Sequence, residues 1–131
     1  MGIEQIAGAL LNVSGVTSIV GARRAVAQLP QGTAMPAIVY DVVSTMPVIT
    51  MNAASGPQLL ISRVQVTALA ESSDGVQTLL TAVMAALNLK SGTYSGSVVA
   101  AVVRDLRTQI TKDNDAGVWY ASQDFIVHWY E

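Results

Sequence analysis

A chain of 131 residues forms one domain, long enough to bury roughly 65–70% of the surface its unfolded form exposes. Hydrophobic residues make up 51% and charged residues 12%, about half the charged share usual in a soluble domain, so much of the exterior calls for a cover other than water. A net charge of −2 with seven Lys and Arg excludes strong nucleic-acid affinity, and the absence of cysteine excludes disulfides and thiolate chemistry. A membrane does not supply the cover. The longest charge-free stretch, 42–62, contains Pro47, Asn52, Gly56, Pro57 and Gln58 and reads as two strands with a loop between them. No basic segment followed by an apolar core opens the chain, so no signal peptide is expected.

In chain order, Ile3, Ile6, Ala7, Leu10 and Leu11 recur at helical spacing, with Glu4 at the positive end of the helix dipole. Residues 16–21 then read as a turn leading away, followed by Arg23 and Arg24 and a loop through Pro30, Gly32 and Pro36. The tract 37–44, Ala-Ile-Val-Tyr-Asp-Val-Val-Ser, is β-branched and aromatic and predicts a strand. The interval 45–57 is expected to be a long hairpin loop. It carries Met46, Val48, Ile49 and Met51 and no charge, which marks it as an arm that packs on a neighbouring subunit. Its plainer reading is a loop folded over its own sheet.

A second strand over 59–70 alternates Val64, Val66 and Ala68 with Arg63, Gln65 and Thr67, the pattern of a half-buried antiparallel strand. Asp74, with Gln77 three residues on, reads as the cap of a helix whose stripe is Val76, Leu79, Leu80, Val83, Met84 and Leu87. Residues 92–96 read as a flexible connection. Strands over 97–111 and 118–130 follow, joined by the polar turn 112–117. In the last strand Phe125, Val127 and Trp129 face the core. The expected fold class is α+β: one antiparallel sheet of about four strands with two helices on one face, in the order α-β-β-α-β-β. The expected core is Val64, Val66, Leu79, Leu80, Val83, Leu87, Phe125, Val127 and Trp129.

Residues with catalytic or ligating chemistry are few. The single histidine, His128, lies inside an alternating strand, a position that packs more often than it catalyses. Asp113, Asn114 and Asp115 resemble the start of a calcium loop but lack the distal Glu, so a polar hairpin turn explains them better. Asp41, Glu71 and Asp124 are candidates to meet across the sheet, where Arg63 offers a cross-strand salt bridge as the simpler outcome. Gly92 and Gly96 lack the helix and lysine of a phosphate loop. Arg23 and Arg24 are too few for a nucleic-acid patch and read as solvated or salt-bridged. No catalytic, metal-binding or cofactor-binding residue is assigned, and the chain reads as a structural subunit rather than an enzyme.

Several segments in order resemble one family over nearly the whole chain. These are the opening helix, Val16-Thr17-Ser18-Ile19-Val20-Gly21, the strand Pro36-Ala37-Ile38-Val39-Tyr40 with Val43-Ser44, and Arg63-Val64-Gln65-Val66 leading into a helix near Asp74. The last is the aromatic strand Gln123-Asp124-Phe125-Ile126-Val127-His128-Trp129-Tyr130. Their order and spacing resemble the tail completion and tail terminator proteins of long, non-contractile-tailed bacteriophages. The apolar interval 45–57 departs from that family's pattern.

The resemblance implies a single tail-terminator-like domain over 1–131, acting as a subunit of a hexameric ring on the head-proximal end of the tail tube. Such a ring ends tube polymerisation and meets the head connector or stopper, with DNA passing through its channel without specific binding. It implies a place in the virion tail or neck and, during assembly, in the host cytoplasm. A closed ring buries two lateral surfaces of every subunit, consistent with the shortage of charge. Another neck component such as a stopper or adaptor, and a dimeric α+β module with a ligand pocket, are the alternatives.

Overall fold

The computed structural model describes residues 2–29, 32, 34–48 and 58–130. The elements run α1 (Ile3–Leu11), α2 (Ser14–Val20), β1 (Arg24–Val26), β2 (Ala37–Pro47), β3 (Leu59–Ala70), α3 (Ser73–Leu87), β4 (Gly92–Tyr94), β5 (Ser97–Arg107), β6 (Thr111–Asp113) and β7 (Val118–Tyr130). One sheet holds every strand among the described residues. Its order is β1-β2-β3-β7-β5-β4, with β6 also paired to β7. β1 runs parallel to β2, whereas the other pairings are antiparallel.

This corrects the expected fold class. In place of about four antiparallel strands with two helices there is, among the described residues, a mixed seven-stranded sheet with three helices. The extra strands β1, β4 and β6 have three residues each, too few for a period of two to emerge from the sequence. They exist because longer neighbours offer open ladder positions. Residues 16–21, expected as a turn, lie mostly in α2, where Val16 and Val20 are both buried at a spacing of four. Tertiary burial here overrides the low helix propensity of a β-branched run. Gly21 ends the helix at φ 57 and donates its N–H to the Thr17 carbonyl at 2.8 Å, a conformation glycine adopts without steric cost.

The helix-facing side of the sheet follows the alternation of its two longest strands. Leu60, Ser62, Val64, Val66, Ala68 and Ala70 of β3 are buried. Across the register Leu60 meets Trp129, Ser62 meets Val127, Val64 meets Phe125 and Ala68 meets Ala121. Onto this side α3 places Val76, Leu79, Leu80, Val83, Ala86 and Leu87, and α1 places Ile3, Ile6, Ala7, Leu10 and Leu11, all in one core with Val16 and Val20 of α2. Met84, expected in the α3 stripe, is only partly buried, and Ala86 takes a buried place instead. The cap of α3 is Ser72, not Asp74: the Gly75 N–H donates to Ser72 Oγ at 3.0 Å, while Asp74 lies in the first turn. Residues 92–96 form a tight hairpin rather than a flexible connection. Tyr94 pairs with Ser97, and Ser95 and Gly96 both have positive φ (54° and 84°), the arrangement of a two-residue type I′ turn.

The expected strand over 97–111 is broken. β5 stops at Arg107, and Thr111–Asp113 pairs separately with β7. The break follows an irregularity between Arg104 and Arg107 that the buried Gln123 side chain holds. Gln123 Nε2 donates to the carbonyls of Asp105 (3.1 Å), Leu106 (3.3 Å) and Asp124 (3.0 Å), and its Oε1 accepts from Arg107 Nε (3.0 Å).

Candidate functional site

The residues with potential chemistry are dispersed and mostly serve the fold. Arg23 Nε donates to the Pro36 carbonyl at 2.8 Å and its Nη2 to the Ile19 carbonyl at 3.2 Å. Arg24 Nε donates to the Gly21 carbonyl at 3.0 Å. Both arginines thus satisfy carbonyls around the end of α2, where cations are favoured, and among the described residues neither has a salt-bridge partner. Asp113 Oδ1 accepts from the N–H groups of Asp115 (3.1 Å) and Ala116 (3.3 Å), and Gly117 closes the turn onto the Asp113 carbonyl at 2.8 Å. That is an Asx turn between β6 and β7. Among the described residues no three His, Cys, Asp or Glu gather as metal ligands.

The three carboxylates considered together do not converge. Glu71 is exposed beyond the end of β3, and Asp41 is separated from Asp124 by β3, through the register Asp41–Gln65–Asp124. Arg63 takes Asp124 instead, at 3.0 Å, and Asp105 of β5 as a second partner that sequence reasoning did not identify. Both carboxylates hold the Arg63 guanidinium above its ordinary pKa, the hydrogen bond it donates to Asp105 contributing most. His128 lies in the row Ile61–His128–Ala101 across β3, β7 and β5, and its Nδ1 is buried without a hydrogen-bond partner among the described residues.

More informative is where apolar side chains meet solvent. β2 extends to Pro47, so residues 45–47, expected in a loop, continue the strand; proline is tolerated there because the strand lies at a sheet margin. Met46 is 64% exposed and Val43 56%, while Val48 is half-buried; Ile49 and Met51 lie outside the described residues. On β5, Val103 is 42% and Leu106 63% exposed. The sequence signals none of this at β5, where Arg104, Asp105 and Arg107 make the end of the strand read as a solvated hairpin. The distal half of β2 is braced from inside. Trp129 Nε1 donates to Ser62 Oγ at 2.9 Å, and Ser62 Oγ shares a hydrogen bond with Thr45 Oγ1 at 2.9 Å. Up to Pro47 the expected loop is therefore a continuation of the core sheet with apolar side chains displayed on it, and 49–57 lies outside the described residues.

Open hollows exist but gather little chemistry. Two apolar ones lie between α2 and α3, lined by Val13, Gly15, Ala82, Ala85, Ala86 and Lys90, and beside the start of α3, lined by Ile19, Met35, Pro36 and Gly75 among others. No single helix among the described residues is long and apolar enough to cross a membrane. α1 and α2 have the length only together, are bent by 84° to each other, and bury their apolar faces in the core.

Comparison with known proteins gives this displayed surface a context. A chain from the virion of a native gene transfer agent (GTA) particle shares the fold, with a TM-score of 0.72 at 10% identity over 98% of this chain and 97% of that one. A second solved protein superposes with a TM-score of 0.55 at 12% identity, covering 100% of this chain and 96% of the other. No curated protein matches by sequence. The family model described as Tail completion protein gp17 matches residues 4–129. With all but the ends of the chain matched, this protein belongs to the tail completion protein gp17 family, structural proteins of phage tails.

Proposed function

We propose that this chain is one subunit of a hexameric ring that caps the head-proximal end of a phage tail tube, stops its polymerisation and presents the surface on which the head connector docks. The match of the tail completion family over residues 4–129 carries the reading. The similar fold of a chain from the virion of a native gene transfer agent particle is in keeping with it. So is the composition, since a ring subunit covers two lateral surfaces with neighbours and needs little charge there. A net charge of −2 suits a conduit along which DNA slides without being gripped. The partners are then further copies of this chain, the tail tube protein and the head-tail connector.

Deleting the gene is expected to give tails of abnormal length or tails that do not join heads, scored by electron microscopy of lysates. Tails of normal length that join heads without the protein overturn the proposal. Met46 and Val48, with Ile49 and Met51, belong to the proposed contact with a neighbouring subunit. Met46→Asp is expected to leave the monomer folded, because the side chain is 64% exposed, and to lower the ring fraction by about tenfold, as a charge costing on the order of 1.4 kcal/mol per contact would do. Native mass spectrometry of the variant checks this, and an unchanged ring fraction removes Met46 from the interface.

A further inference from the structure

On each margin of the sheet one strand continues past its last neighbour. β1 covers β2 only at residues 38–40. Among the described residues 41–47 has no strand on its outer side, and 43–47 is exposed. On the opposite margin β4 covers β5 only at residues 97–99. Leu89 and Lys90 then reach Val102 through hydrogen bonds of 2.7 and 3.1 Å, and Asn88 Oδ1 accepts from the Arg104 N–H at 3.2 Å. Residues 103–107 are exposed.

The two open runs match in three respects. They overlap in height: in the row Ser44–Arg63–Ile126–Val103, Ser44 stands on one open margin and Val103 on the other. They match in direction. β2, β3, β7 and β5 alternate along the sheet, so copies related by rotation about an axis along the strands bring β5 of one antiparallel to β2 of the next. They also match in chemistry. Val43, Met46, Val103 and Leu106 are large hydrophobic side chains exposed on these two runs. Apart from the Arg104 N–H held by Asn88 and the Asp105 and Leu106 carbonyls held by Gln123, the backbone groups of an uncovered edge are ones that another strand satisfies.

We propose that copies of this chain join head to tail through these edges, β5 at 103–107 pairing antiparallel with β2 at 41–47 of the next subunit. The inference rests on the ring reading and specifies its lateral contact. The contact is heterologous, the kind that closes into rings. β1 and β4 sit at opposite ends of their margins, beside the Ala68 and Trp129 levels respectively. Each blocks the half of an edge that the proposed pairing leaves unused. The open runs are offset along the strands, a stagger that tilted strands absorb in closed barrels. Each run also contains a bulge, between Val42 and Ser44 and between Arg104 and Arg107. Bulges discourage indiscriminate edge pairing, so the edge that fits must be shaped to them.

The chain has no cysteine, which makes thiol cross-linking specific. Two double variants, Met46→Cys with Val103→Cys and Val43→Cys with Leu106→Cys, are assembled on tail tubes, checked for rings by native mass, and treated with a short bifunctional thiol reagent. At least one double variant is expected to give a ladder of covalent oligomers on a denaturing gel, reaching the subunit number of the ring, while every single variant remains monomeric. Intact rings without a ladder in either double variant overturn the edge pairing and leave the ring reading standing. Covalent dimers from a single variant indicate a two-fold contact and overturn it as well. If the parent chain forms no rings with tail tubes present, both readings fall.

Discussion

Val83→Asp is expected to abolish folding, leaving the protein insoluble or without a cooperative unfolding transition. Val83 is fully buried on the side of α3 that faces the sheet, in one core with Leu79, Leu80, Phe125 and Val127. An aspartate there has no cation to pair with: Arg63 belongs to the opposite side of the sheet and is already engaged by Asp105 and Asp124. The carboxyl must either stay protonated or draw water into the core. Holding a buried acid neutral at neutral pH costs on the order of 5 kcal/mol, to which the lost packing of the valine adds. Domains of this size have about 5–15 kcal/mol in total, so little or nothing remains. Thr81→Asp places the same charge on the exposed face of α3 and is expected to change stability by less than about 0.5 kcal/mol. Circular dichroism with urea titration separates the two. A soluble Val83→Asp protein with a normal transition means that α3 turns another face to the sheet.

Gln123→Leu is expected to lower stability by about 2–3 kcal/mol and to loosen the distal part of β5 selectively. Leucine nearly conserves volume, so packing alone predicts a mild effect. The polar consequences are larger. Nε2 serves three carbonyl groups, those of Asp105, Leu106 and Asp124, and Oε1 receives Arg107 Nε. Loss of the amide leaves the half-buried carbonyls of Asp105 and Leu106 and the buried one of Asp124 without this donor, and an unsatisfied buried polar group costs about 1–3 kcal/mol. A Tm lower by roughly 6–12 °C follows for a chain of this length. Hydrogen exchange is expected to rise at residues 105–107 well before it rises in β3. Equal Tm and equal protection in the variant overturn the role assigned to Gln123. If β5 is a lateral contact between subunits, the variant should also assemble poorly at temperatures where it remains folded.

These two positions illustrate how much could be read in advance. Val83 was legible because α3 spans fifteen residues, enough turns for an apolar stripe to declare which side is buried. The same holds for the alternation of β3 and for Phe125, Val127 and Trp129 of β7, which the structure buries on the helix-facing side. Gln123 gave no signal. A glutamine in a strand looks solvated, and its partners in β5 lie sixteen to eighteen positions away. Burial of an amide becomes sensible only once a bulge on the neighbouring strand presents carbonyls to it.

The displayed surface was legible in part. An uncharged, methionine-containing stretch after Ser44 stood out by composition, and Met46 is indeed exposed. At residues 45–47 its assignment to a loop failed because β3 supplies ladder partners as far as Leu60, carrying β2 to Pro47. The edge that β5 leaves open among the described residues was not legible, since an open margin is a property of what fails to pair, and pairing is long-range.

What the sequence determined by itself was the local and the periodic: α1, α3, the long strands β3 and β7, the small share of charge, and a resemblance that the family match supports. What only the tertiary structure decided was everything set by neighbours distant along the chain. Strands of three residues, a valine-rich helix in place of a turn, the parallel pairing of β1 and the open margins at 41–47 and 103–107 belong to that group. The division has one physical cause. A long element accumulates enough weak, repeated preferences to state its own conformation and buried side, whereas a short strand or a sheet margin acquires its identity only from the hydrogen-bonding groups that the rest of the fold leaves beside it.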